Sequence, residues 1–239
     1  IGGMPGMGLK GAALAGVTAQ VILTLVLLLI ISKRRVFLTW SLRNFRPNFK
    51  VISSIYAIAI PSTVMEIIGV VVMVALNRVV AGFGYVPLAV LGIFLRVRSF
   101  FYMPVFGLAQ GALPLIGFSY GARRQERIRE AAIKAMAASF IFMTIGWLIM
   151  QSCPAWIMHI FSSDPGTMKE GIICMRLSTL VLPVMGPTIL FYSVLQALGK
   201  GFTAMWLSLL RQAVLFLPLL LILPQYIGLK GAWLAFSLS

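Results

Sequence analysis

The chain has 239 residues, 60% of them hydrophobic and 10% charged, with a mean hydropathy of +1.00 and a formal net charge of +15. A water-soluble domain carries roughly 25% charged residues, so this composition excludes a chain that covers itself in water and makes lipid the solvent for much of it. The positive charge does not point to nucleic acid, because the basic residues fall in gaps between apolar runs and not on a polar domain.

Apolar runs occupy residues 11–32, 51–76, 86–118, 131–151, 171–198, 203–223 and 231 onward. A helix needs about 20 apolar residues to cross a hydrocarbon core of roughly 30 Å, and each complete run is long enough. Strand-like alternation is absent, which speaks against a barrel. The fold class predicted is therefore an all-α, polytopic membrane bundle of about seven helices. The run at 86–118 carries Pro87, Pro104 and Pro114 and is expected to be kinked or broken. The chain opens at Ile1 with neither an initiator Met nor a signal peptide and ends inside a new apolar run, so it is read as part of a longer protein.

Lys33, Arg34, Arg35, Arg43, Arg46, Lys50, Arg123, Arg124, Arg127, Arg129, Lys134 and Lys200 lie in alternate gaps; the opposite gaps hold Lys10, Arg78, Lys169 and Lys230. Twelve against four places the 33–50 linker and the 120–130 loop in the cytoplasm. A plasma membrane, the inner membrane of a bacterium, is the expected location.

Residues 8–15 read GLKGAALA and residues 228–235 read GLKGAWLA, seven matches in eight positions. Each copy precedes an apolar run, and six runs begin between them. An even number of spans returns the chain to the same side, so the repeat is parallel, a pattern of two-lobe transporters. The expected layout is the last helix of a first lobe at 1–32, a basic linker at 33–50, and most of a second six-helix lobe at 51–239. The missing N-terminal lobe would be a partner within the same protein.

Glu66 is the only acidic residue inside an apolar run. A charge at mid-bilayer costs about 2.5–3.5 kcal/mol on insertion scales, so it belongs in the bundle interior or a wet cavity. It can hold a proton or Na+ there, or pair structurally with Arg96, Arg98 or Arg211. Arg176 and Arg211 lie near helix ends and can snorkel. Asn77, Gln110, Tyr192 and Gln196 can line a substrate path or bond helix to helix. Gly107/Gly111 and Gly117/Gly121 have the spacing of close helix packing. His159 reads as interfacial, and Cys153 and Cys174 fall near one face, where a disulfide is conceivable. Gly199-Lys200-Gly201 is not a P-loop, and no cluster supports a catalytic centre, a metal or another cofactor.

The run from Gly107 to Ala122 (GLAQGALPLIGFSYGA), followed by Arg124 and Arg127, resembles the MATE family, the multidrug and toxic compound extrusion transporters. Ile60-Pro61-Ser62, Asn77, the stretch Gln196 to Gly201, Arg211-Gln212 and both repeat markers extend the likeness over nearly the whole chain. The resemblance implies a twelve-helix, monomeric exporter of cationic, amphipathic compounds by antiport with Na+ or H+, and a fragment inactive alone. Glu66 lies on the helix where some branches place an acidic coupling residue. Run 171–198 lacks the acid that some members carry, and Ser119 stands where many have asparagine. Three other readings stay open. A lipid-linked sugar flippase would turn Arg96 and Arg98 into its cavity to hold phosphate. A membrane-embedded enzyme would cluster polar groups at one face, and a non-transporting scaffold would give Glu66 no purpose.

Overall fold

The computed structural model describes residues 8–33 and 48–238, and the chain parts into two compact units between Asn48 and Phe49. The first unit contains one apolar helix, α1 (Gly8–Lys33), with exposed side chains from Leu14 to Ile30. The basic linker expected at 33–50 falls mostly, over 34–47, outside the described residues.

The second unit holds α2 (Phe49–Ala81), α3 (Tyr85–Gly121), α4 (Gln125–Ser152), the short α5 (Pro154–Phe161), α6 (Pro165–Ser178), α7 (Leu182–Ala197), α8 (Gly201–Ile227) and α9 (Leu229–Leu238). Helices α2, α3, α4 and α8 are long and apolar enough to cross a bilayer. Helices α6 and α7 meet that test only as a pair, bent by 53°. Among the described residues this gives four spans, or five with the bent pair; α9 has only ten residues. The second repeat marker opens a helix, α9 at Leu229, and the first lies in α1, whose described residues begin at Gly8. Gly228 turns into α9 with φ of 65°, a conformation that favours glycine.

Of the kink or break expected in the third run, the break is not there. Despite its prolines, α3 is one helix of 37 residues. Pro87 sits in its first turn, where no intrahelical donor is lost, and a membrane helix tolerates the other two when neighbours satisfy the freed carbonyls. The bent span is 165–197, interrupted at Thr179–Val181. Side chains cover its exposed carbonyls: Gln151 Nε2 donates to Arg176 O at 2.9 Å, Thr179 Oγ1 to Met175 O at 2.7 Å, and Ser237 Oγ to Leu177 O.

Close packing also differs from expectation. A Cβ built at Gly107, Gly111 or Gly121 would meet nothing within 4 Å, whereas one at Gly186 of α7 would lie 2.7 Å from the Ser139 carbonyl oxygen of α4. One at Gly231 would strike the Leu223 backbone. Of the expected four, only Gly117 meets another helix, at 3.7 Å from the Ala197 carbonyl oxygen of α7, and the glycines whose Cβ would strike a neighbouring backbone are Gly186 and Gly231. Cys153 is exposed and Cys174 buried, both as free thiols, so the conceivable disulfide is not formed.

Helix α6 begins at Asp164, whose Oδ2 accepts from Thr167 N at 2.7 Å and from Thr167 Oγ1 at 2.8 Å. The bond from the Thr167 amide, and then the one from its hydroxyl, hold the Asp164 carboxyl below its ordinary value. A depressed folded value means that the cap's stabilisation is complete above the unfolded aspartate pKa and is lost as pH falls through the folded one. Asp164→Ala is expected to speed amide exchange at Thr167 at neutral pH, with the gap from wild type closing in acid. An unchanged rate at neutral pH would contradict the cap.

Candidate functional site: a cavity lined by two arginines

A cavity of about 390 Å³ lies within the second unit, inside the usual range of ligand pockets. Its wall is built from α2 (Gly69, Val72, Met73, Leu76), α3 (Phe94, Leu95, Arg98, Ser99, Tyr102, Phe106), the α6–α7 bend, α8 (Arg211, Gln212, Phe216) and Phe236 of α9. Two helix irregularities meet here. Ser178, Val181, Leu182 and Met185 flank the break in the bent span, and Leu210–Phe216 of α8 is a π turn. π turns inside α-helices occur often at functional sites. In this one the consecutive Arg211 and Gln212 both face the cavity.

Arg98 has its guanidinium carbon 4.1 Å from the Tyr102 ring centroid and 4.6 Å from that of Phe236. Phe236 in turn packs edge-on against Phe94 and Phe216. Arg211 places Nη1 3.1 Å from Met185 Sδ and its guanidinium carbon 5.8 Å from the Tyr192 ring. The Nε donor of each arginine is buried with no hydrogen-bond partner. A guanidinium cannot shed its proton in a protein. Each cation–π contact returns about 0.5–2 kcal/mol, whereas desolvating an ion costs several kcal/mol. No acidic residue lines the cavity, so the aromatic rings offset only part of that cost.

The structure brings together only some of the residues expected to share a site. Arg98 and Arg211 line the cavity, and Tyr192 borders Arg211. Glu66 is exposed on α2 and pairs with none of Arg96, Arg98 and Arg211; the one ion pair among the described residues is Lys134–Glu130, at 2.6 Å. The structural ion pair, one of the two readings of Glu66, is not formed, and Arg98 and Arg211 meet aromatic rings and sulfur instead. Arg96 is exposed and does not line the cavity. Asn77 is also exposed and donates to Met73 O of its own helix at 2.8 Å. Gln110 is exposed on α3, away from the cavity wall. Gln196 links α7 to α2 through Met65 Sδ at 3.9 Å. Tyr102, Gln212 and Phe236 carry the cavity's chemistry but were not among the expected site residues. Arg211, read as lying near a helix end and free to snorkel, lines the cavity instead.

An all-helical unit of membrane length, with a broken span beside a central cavity, has the architecture of an integral membrane transporter lobe. The profile of the MatE family matches residues 61–222, and the chain belongs to that family. It is 26% identical over 221 residues to the multidrug export protein MepA of Staphylococcus saprophyticus, covering 92% of this chain and 49% of the relative. It is 27% identical over 227 residues to MepA of Staphylococcus aureus strain NCTC 8325, with the same coverage. Thus the chain spans about half the length of the curated relatives it matches. The fold matches a multidrug resistance MATE transporter of the MOP superfamily in its outward-facing conformation, with a TM-score of 0.89, 22% identity, and 98% of this chain and 53% of the other covered. It also matches a MOP superfamily transporter from Pyrococcus furiosus, whose binding pocket is described as of reverse polarity. That match has a TM-score of 0.88 and 22% identity, covering 97% of this chain and 53% of the other. The relatives are multidrug transporters, not enzymes.

Proposed function

We propose that this chain forms the C-terminal lobe of a secondary active exporter of small, amphipathic organic compounds, driven by antiport with Na+ or H+. The observation that carries this reading is the cavity at the junction of the bent span and the π turn, walled by Met73, Tyr102, Phe106 and Met185. Binding sites at interrupted helices are a recurring device of transporters. Organic cations remain the expected cargo because sulfur and aromatic faces suit them. In this reading Glu66 carries the coupling ion, with Asn77 on the same strip of α2, eleven residues on. The protein works as a monomer in the plasma membrane of a bacterium, with the 33–50 linker and 120–130 loop cytoplasmic. The excess of Lys and Arg in those gaps supports that orientation. The 239-residue chain by itself does not transport, since the path needs a second lobe.

The test is accumulation of a fluorescent organic cation in cells lacking their own exporters, with the intact parent protein, under imposed Na+ and H+ gradients. Wild type should lower accumulation, and Glu66→Gln should lose most of that effect at equal membrane abundance. Equal export by both forms would remove Glu66 from coupling; no export by wild type would defeat the reading. Arg98 and Arg211 in the cavity wall favour a second reading, a lipid-linked sugar flippase, in which guanidiniums would hold phosphate.

A further inference from the structure

We infer that the cavity between α2, α3, α7 and α8 is a binding site for amphipathic organic anions, with Arg98 and Arg211 holding the acidic group. The inference rests on the transport reading for the role of the cavity and, for this site, replaces the organic cation expected there with an organic anion. Three observations converge. Two permanently charged side chains line one cavity that contains no carboxylate. Neither is in an ion pair, the one such pair among the described residues being Lys134–Glu130, and a charge left uncompensated beside a cavity is what a ligand of opposite sign would neutralise. The polar side chain of Gln212, held by Ser208 Oγ at 2.8 Å, completes the same wall.

The wall also fixes the rest of the ligand. Phe94, Phe106, Phe216 and Leu182 offer an apolar bed beside the guanidiniums. A planar acidic group can take parallel N–H donors from arginine. An aromatic or aliphatic body attached to it would fill the apolar part. A bare inorganic anion would leave that part empty, so carboxylates, sulfonates and phosphate esters with an apolar body are the class assigned.

The test uses the purified full chain in neutral detergent and a matched pair of probes, naphthalene-1-sulfonate and 1-naphthylmethylammonium, by equilibrium dialysis. They share the ring system and differ in the sign of the charge. The sulfonate is expected to bind at least about tenfold more tightly, the size of one charge-assisted hydrogen bond. Arg98→Gln and Arg211→Gln should each lose about that factor for the sulfonate alone, and Arg→Lys at each site should keep the preference. Gly69→Leu places the site: its Cβ has room, 3.9 Å from Gln212 Oε1, and its side chain would occupy the cavity. It should weaken sulfonate binding with no change in thermal unfolding.

Competition by phosphatidylglycerol added to the micelles would identify the bound anion as a lipid headgroup, and its failure to compete would identify a soluble one; the site stands in both cases. Equal binding of the two probes by wild type would overturn the inference, a comparison that needs no variant to fold. So would sulfonate binding unchanged by Gly69→Leu. Binding is measured without transport. Loss of export in the cell assay would therefore leave this result standing, and loss of anion binding would leave the export result standing.

Discussion

Trp233→Ala is expected to destabilise the second unit by about 3 kcal/mol and lower its thermal unfolding temperature by several degrees. The indole is 1% exposed, its Nε1 donates to Glu170 Oε1 at 3.0 Å, and the backbone around it is tied to α6 by Ser178 Oγ donating to Trp233 O at 3.3 Å. Truncation removes the largest fully buried side chain among the described residues and leaves the Glu170 carboxylate without its donor. The figure sits at the low end for Trp→Ala because lipid, not water, is the alternative solvent, which leaves packing and hydrogen bonding to do the stabilising. Trp233→Phe should recover most of the packing but not the hydrogen bond, and should fall between the two. A Trp233→Ala protein as stable as wild type would mean that α9 does not dock as described.

The second large effect is expected at Gly186. Its Cα side faces the Ser139 carbonyl oxygen and Met143 Cγ, at 2.7 and 3.0 Å from a built Cβ. A carbonyl in a helix backbone cannot swing aside as a side-chain tip can, so α4 and α7 must separate. Gly186→Ala should cost about 1–3 kcal/mol, and Gly186→Leu should prevent recovery of a monodisperse protein. Gly107→Ala is the matched control. Nothing lies within 4 Å of its Cβ position, so the helix should gain up to about 1 kcal/mol from the better helix former. Thermal unfolding in detergent reads all three. If the alanine variants behaved alike, the α4–α7 approach would be wrong.

The spans were legible because lipid imposes one rule on each of them, a long apolar run with its backbone bonded internally. The second repeat marker also coincides with a helix start, that of α9. The break between α6 and α7 was not legible, because what sustains it comes from afar: Gln151 lies 25 residues from its acceptor Arg176, and Ser237 lies 60 from Leu177. Proline counting pointed to α3 for the opposite reason, since a proline's cost depends on whether its turn has other partners. At the site, the single acid in an apolar run drew attention to Glu66, and the structure leaves it exposed. Arg98, read as its possible partner or as a phosphate holder, and Arg211, read as a partner or a snorkelling residue, are the charges that meet at one cavity. The π turn that carries Arg211 and Gln212 leaves no signal in composition.

That turn also bears on how such a lobe can change over generations. Elsewhere in a membrane span, losing one residue rotates everything beyond it by about 100° and turns the packed face toward lipid. At Leu210–Phe216 the helix already holds a surplus residue, so a deletion there would close the backbone to ordinary α geometry while Leu220 and the residues after it kept their phase. The segment is a point of length tolerance in an otherwise length-intolerant span. What the cavity displays at 211 and 212 could be exchanged by a single-codon loss, without disturbing the docking of the helix end.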